Sequence, residues 1–482
     1  MTHATKSLAR AARRAASLAF AVAVAGCYSY NLTDPNGPTL SSLINNPTQA
    51  KLSAAATGIF ESSRADVQNF IWRVGSMGRE GINLSGNNQP DYQEPYYGPL
   101  SSSEFGSELW FNEYTAIRNA NNYIDAVPKA PDLAAPDQAA SIGFAETIKA
   151  LEFMYIIETR ANLGAPVDVD RPVTAVPAPF VTEDSVYGYA LGLLDSARTH
   201  LAKAGSTFPF PVPPGYASFN TPQTWRQYTW ALTAKAEALR ATASKLCGAP
   251  CYASALAALD SSFISAAPAS FASGAYFDFG TGSGERGDTL SEPLNGPIFF
   301  ALAQNDSDAQ LQPGGQPDQR VVNKIAPIPA GQPPQILGGI PIQGTLKFTV
   351  YFIGGAPNPA SPIPIIKDEE LILLRAEAEI GTGALGAAVS DLNLVRQNSG
   401  LLAPYSGAAS QPALIAELLY NRRYSLLWEQ GTRWIDARRF GLLSTIPPAV
   451  PGGHVPTRMP IPADECNARG FGKINACSPL GT

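Results

Sequence analysis

The sequence is poor in the residues that most catalysis depends on. It has 3 histidines in 482 residues, and one of them, His3, lies in the first few positions. That leaves His200 and His454 as the commonest type of general base. There is no Gly-x-Ser-x-Gly elbow, no Gly-rich phosphate loop and no His-Glu-x-x-His pair. Beyond the first 26 positions no apolar run reaches the ~20 residues a membrane-spanning helix needs. Strands that alternate apolar and polar residues are scarce, which excludes an all-β sandwich or barrel. The charge balance is acidic, −6 overall, and this argues against nucleic acid as a partner, because phosphate binding needs a basic face. No cofactor is expected.

Cysteine is also sparse, at 5 residues. Cys27 stands apart from Cys247, Cys251, Cys466 and Cys477. Those four allow three disulfide pairings. The local pairs, Cys247 with Cys251 and Cys466 with Cys477, are favoured because each closes a short loop. The spacing does not suit paired Cys-x2-Cys metal ligands, and two histidines add little, so no metal is expected.

What is present begins at the N-terminus. Lys6, Arg10, Arg13 and Arg14 precede a short run of small and apolar residues, Ala15 to Ala25, and no acidic residue occurs before Asp34. This is the layout of a secretory signal. Val24-Ala25-Gly26-Cys27 resembles the bacterial lipobox, which implies cleavage before Cys27 and lipid attached to it. Loss of residues 1–26 removes four cations and makes the remainder more acidic. Multiple acyl chains hold a protein firmly to a bilayer, at roughly 0.8 kcal/mol per buried methylene. An oxidising compartment beyond the inner membrane also suits the four remaining cysteines.

Gly and Pro number 42 each, and they cluster. Residues 27–47 read as a polar tether, and 81–108, 164–180 and 205–222 as loops. The longest loop-like stretch is 264–364. Between these stretches, apolar residues recur at helical spacing over 48–74, 107–126, 141–163, 183–203, 222–246, 252–263, 367–381, 384–398 and 411–438. Asn45 or Thr48 stands where the first of these helices begins, and Thr182 and Pro222 stand where later ones do. Short strands are expected at Gly344 to Phe352 and Tyr276 to Phe279. The expected fold is therefore mostly α: a right-handed tetratricopeptide-like stack of helix pairs, an alpha-alpha superhelix, with a loop-rich lobe. The organisation expected is a signal peptide (1–26), a lipid-anchored tether (27–47), a helical region (48–263), the lobe (264–364) and a second helical region (365–482).

Within 421–441, NRRYSLLWEQGTRWIDARRFG, helical spacing places Glu429 against Arg433 and Arg433 against Asp436. Trp428 and Trp434 are expected to pack on a neighbouring helix. Glu429 and Asp436 are expected to be structural and not catalytic. Exposed aromatics and amides suit sugars, which offer apolar ring faces and hydroxyl edges. The stretch 81–108 supplies that mixture in Asn88, Asp91, Tyr92, Tyr96 and Tyr97, and Trp72 and Arg79 can join it. Tyr276, with Phe277, Asp278 and Phe279, is a second candidate.

The segments KDEELILLRAEAEIGTGALGAAVSDLNLVRQNSG (367–400), 421–441 and MPIPADE (459–465) together resemble the SusD/RagB family of nutrient-binding outer-membrane lipoproteins. Similar segments occur at 110–127, 150–166, Asp318 with Arg320, and 31–35, in the family's order. At Leu151-Glu152 the chain departs from the family's usual Leu-Arg. The resemblance implies a protein on the outer leaflet of the outer membrane that captures a nutrient, often a glycan, without covalent chemistry. It implies delivery to a SusC-like TonB-dependent transporter. Two other readings use the same features: a surface glycosidase, which needs paired cleft carboxylates, and a scaffold with no small ligand. Burial of Tyr92, Tyr96 and Tyr97 would favour the scaffold.

Overall fold

The computed structural model describes residues 39–482, apart from 87–88, 173, 244–246, 294–296, 332–334, 337–341, 471–476 and 478–482. The leader, Cys27, the 31–35 segment and Asn88 lie outside the described residues.

Helices dominate, and consecutive helices pack on one another. They are α1 (Gln49–Ser63), α2 (Val67–Met77), α3 (Gln89–Tyr97), α4 (Phe111–Ala126), α5 (Ala135–Arg160), α6 (Glu183–Leu201), α7 (Pro222–Thr242) and α8 (Ala249–Asp260). Toward the C-terminus follow α9 (Asp368–Thr382), α10 (Leu385–Asn398), α11 (Gln411–Ser425) and α12 (Thr432–Arg439). The stack runs α4 on α5, α5 on α6, α6 on α7, α7 on α8, α8 on α9, and α9 on both α10 and α11. Local chemistry sets the starts. Thr48 and Thr182 each accept a backbone N–H from the first turn of their helix. Thr221 forms a reciprocal cap with Thr224, and Pro222 stands where its missing N–H costs nothing. Gly383 ends α9 with φ +87°, a conformation that favours glycine. The fold class is the expected helical stack.

Two long helical patterns are each divided. The 48–74 pattern breaks at Arg64–Asp66 into α1 and α2. The 411–438 pattern breaks between α11 and α12, where Trp428 takes φ +57° and Gly431 φ +63°. Neither ion pair expected from helical spacing forms: the break separates Glu429 from Arg433, and within α12 the Arg433 side chain turns to the Arg79 carbonyl. Glu429 bonds Lys324 and Lys367 instead of Arg433. Asp436 bonds Arg422 and Arg439. Trp428 and Trp434 are fully buried, as the sequence suggests.

The 264–364 stretch is not structureless. It supplies β2 (Gly274–Phe277), β3 (Phe299–Ala301), β4 (Ile325–Pro327) and β5 (Leu346–Phe348). With β1 (Gly81–Asn83), three of these form an antiparallel sheet in the order β1-β3-β5-β4. β2 pairs with β6 (Ile363–Lys367), Gly274 opposite Lys367 and Phe277 opposite Ile363. Residues 89–97, expected as loop, form α3. Pro90 fits its first turn, but Pro95 lies inside it and removes one hydrogen bond. Among the described residues, no helix is long and apolar enough to cross a membrane.

Candidate functional site

An open groove of about 710 Å³ lies where the end of α1, the 213–218 loop and the β2 strand converge. Its walls include Glu61 and Arg64 from α1, and Tyr276, Asp278, Phe279 and Glu285 from the lobe. The break after α1 lets Arg64 turn from the helix to the lobe, where it donates to the Asp278 carbonyl and to the Glu61 carboxylate. Its guanidinium also lies 5.6 Å from the Phe279 ring centre. The Asp278 carboxylate accepts the Gly215 N–H at 2.6 Å. Burial raises the pKa of Asp278, and that N–H and Arg64 oppose the shift. Gly215 is required at this point, because a Cβ there would sit 2.2 Å from the Tyr276 carbonyl oxygen. The Tyr276 hydroxyl donates to Ala272, so the half-buried ring is fixed on the groove wall. The groove thus combines held aromatic rings with acids and a cation, a set suited to a polyhydroxylated ligand. The Glu285 carboxylate accepts the Gly282 N–H at 2.7 Å, so each of the three acids is already engaged.

Of the candidate residues drawn from sequence, Tyr276 lines this groove, with Asp278 and Phe279 beside it. Phe277 alternates inward and is buried. Burial withdraws Trp72, Arg79 and Tyr96 from the surface. Trp72 is buried edge-on to Phe105 at 5.7 Å and donates from Nε1 to Asn69. Arg79 is fully buried and donates to the carbonyls of Ser76, Pro95 and His454. Tyr96 is fully buried beneath it, its hydroxyl donating to the Gly81 carbonyl, and burial raises its pKa. These three are core residues. Asp91 is spent on Arg73 at 3.2 Å. Tyr92 and Tyr97 are half-buried against the Ile82 and Phe300 cluster. Tyr96 alone meets the full burial that would favour a ligand-free scaffold.

Sequence reasoning did not find Glu61, Arg64 or Gly215. Arg64 and Glu61 read as one face of an unbroken helix, and nothing local marks the approach of residues 214 positions apart. The structure pairs Cys247 with Cys251 and Cys466 with Cys477. Glu237 stands near the first pair, but those thiols are joined to each other and are not metal ligands.

The course of the helices and the lobe recurs in solved structures. A SusD superfamily protein from Bacteroides vulgatus superposes with a TM-score of 0.67 at 15% identity, over 87% of this chain and 97% of that one. The chain has the SusD fold. A SusD-like carbohydrate binding protein from Bacteroides fragilis matches at 0.63 and 15% identity, over 84% of this chain and 88% of its own. Bacteroides fragilis NanU matches at 0.60 and 14% identity, over 90% and 97% respectively. Neither a protein-family model nor a curated protein sequence matches the SusD-like chain.

Proposed function

We propose that the protein is a cell-surface lipoprotein that captures a glycan in the groove around Tyr276 and passes it to a SusC-like TonB-dependent transporter. The observation that carries this reading is the SusD fold, shared over most of the chain with a carbohydrate binding protein. The groove adds rings and polar groups fixed by the surrounding chain, so little ordering cost falls on binding. Capture needs no covalent step, and the three acids of the groove are held by their own partners. A lipobox at Cys27 and an acidic, disulfide-bearing body suit the outer membrane.

Two measurements test the reading. Purified protein is titrated with a panel of soluble polysaccharides, alongside Tyr276→Ala and Phe279→Ala. Binding of at least one glycan, weakened about tenfold or more by Tyr276→Ala, is expected, and released reducing ends are not. Absence of binding across the panel, or hydrolysis, would count against capture. The full-length chain is also used as bait in detergent-solubilised outer membranes. Near-stoichiometric recovery of a large TonB-dependent barrel is expected, and Cys27→Ser should shift the protein out of the membrane fraction. Recovery of the bait alone would overturn the transporter role.

A further inference from the structure

The groove around Tyr276 is unevenly charged. Its walls carry the carboxylates of Glu61, Asp278 and Glu285 against one guanidinium, Arg64, and among the described residues no other charged side chain lines it. Arg64 is committed to the Glu61 carboxylate and to the Asp278 backbone carbonyl. Arg286, the neighbour of Glu285, donates to the Ala65 carbonyl at 2.7 Å and is not part of the lining. Setting Arg64 against Glu61 leaves Asp278 and Glu285 as acids whose carboxylates no cation bonds.

Both of these acids are held in place by glycines. The Gly215 N–H donates to Asp278 Oδ2 at 2.6 Å, and the Gly282 N–H donates to Glu285 Oε2 at 2.7 Å. A Cβ on Gly280 would collide with Glu285 Oε2, so the turn keeps a space for that carboxylate. Each bond uses one oxygen. Asp278 Oδ1 and Glu285 Oε1 accept nothing from the described residues, and neither is sealed from solvent, since Asp278 is half-buried and Glu285 exposed. A fixed carboxylate oxygen of this kind suits a charged donor, whose hydrogen bond to it is roughly twice as strong as one between neutral groups. The same field repels an acidic ligand. The acids do not converge on one point as the ligands of a single metal ion must; among the described residues that arrangement occurs at Glu237, Cys247 and Cys251.

We infer that the groove selects glycans whose sugars carry a free amine, such as a glucosamine polymer, over neutral and acidic glycans. The inference rests on the proposal that this groove captures a glycan. The ammonium groups would donate to Asp278 Oδ1 and Glu285 Oε1, while the ring of Tyr276 takes the apolar face of a sugar.

The test is calorimetric titration of the full chain, at mildly acidic pH and low salt, with chitosan tetramer, its fully N-acetylated form, cellotetraose, tetragalacturonate and tetralysine. The chitosan tetramer should bind about tenfold or more tighter than each of the others, and added salt should weaken it. Glu285→Gln and Asp278→Asn should each weaken the chitosan tetramer more than cellotetraose. Glu285 is exposed, so its variant stays informative if Asp278→Asn fails to fold. Equal or tighter binding of the neutral or acidic tetramers, or an equal effect of Glu285→Gln on chitosan tetramer and cellotetraose, would overturn the selectivity and leave glycan capture standing. Equal binding of tetralysine would overturn the assignment to a sugar. Failure of every tetramer to bind would also overturn the selectivity, and glycan capture falls with it only if the polysaccharide panel fails as well.

Discussion

Glu429 Oε2 lies 2.6 Å from Lys367 Nζ inside the protein, and the same carboxylate takes Lys324 Nζ at 2.8 Å through its other oxygen. One buried anion therefore holds two buried cations, one ahead of β4 and one at the end of β6. The two lysines lower the Glu429 pKa against the opposing pull of burial. Removing the anion leaves both cations buried together. Glu429→Ala should destabilise the fold by about 3–5 kcal/mol, as when one partner of a buried pair is deleted. Urea unfolding followed by circular dichroism measures this. A loss near zero would mean that water reaches the lysines.

Trp72 and Tyr276 should separate stability from binding. Trp72 fills a site between Phe105 and Phe299, and Trp72→Ala should cost about 3–5 kcal/mol through the cavity it leaves. Tyr276→Ala removes a half-buried ring from an open groove and should change the melting temperature little while weakening the glycan. Thermal melts and titrations on both variants check the contrast.

Burial pushes the Glu113 carboxyl up to about 8 from 4.5, with Asp66 adding to the shift. The folded state thus holds the proton more tightly than the unfolded chain. The stability it adds is complete below about pH 4.5 and fades as pH rises toward 8. Glu113→Gln, which stays neutral, should flatten the fall in melting temperature across that window. An unchanged pH profile would show that other groups cause the fall.

Two glycine substitutions should have opposite signs. At Gly81 a Cβ would meet Trp428 at 2.6 Å and Phe348 at 2.8 Å, two rings stacked 4.1 Å apart. Gly81→Ala should destabilise by about 1–3 kcal/mol. Gly188 lies within α6 with nothing within 4 Å of a Cβ, so Gly188→Ala should stabilise by about 0.5–1 kcal/mol. Denaturation midpoints of the pair give the test.

The helical stack was legible because a buried helix repeats its apolar positions. Ile148, Leu151 and Ile156 mark α5 in this way, and all three are buried. The breaks were not legible. Trp428 has an ordinary helical neighbourhood in sequence, and its left-handed backbone is imposed by stacking on Phe348 and by the Glu80 carboxylate, which accepts its N–H. Residue type also misleads about exposure. Arg79 and Trp72 suit a sugar site equally well from sequence, but three carbonyls and two rings claim them inside the core. Tyr276 could be found because an aromatic cluster in a Gly-rich stretch stands out. Arg64 could not, because its role depends on a chain reversal far away in sequence.

The contact of Trp428 with Glu80 spans 348 positions, and Gly75, Gly78 and Gly81 are small where the 428–434 segment presses on them. The slot beside α2 is therefore filled by a segment synthesised 348 positions later. A chain emerging N-terminus first cannot close its first core until residue 434 has arrived, and until then the rings of Phe299 and Phe348 lack their cover. A ribosome-stalled or partly translocated chain should remain sensitive to protease and available to holding chaperones until the 428–434 segment has arrived. Truncation ahead of Trp428 should expose α2 as well as the segment removed.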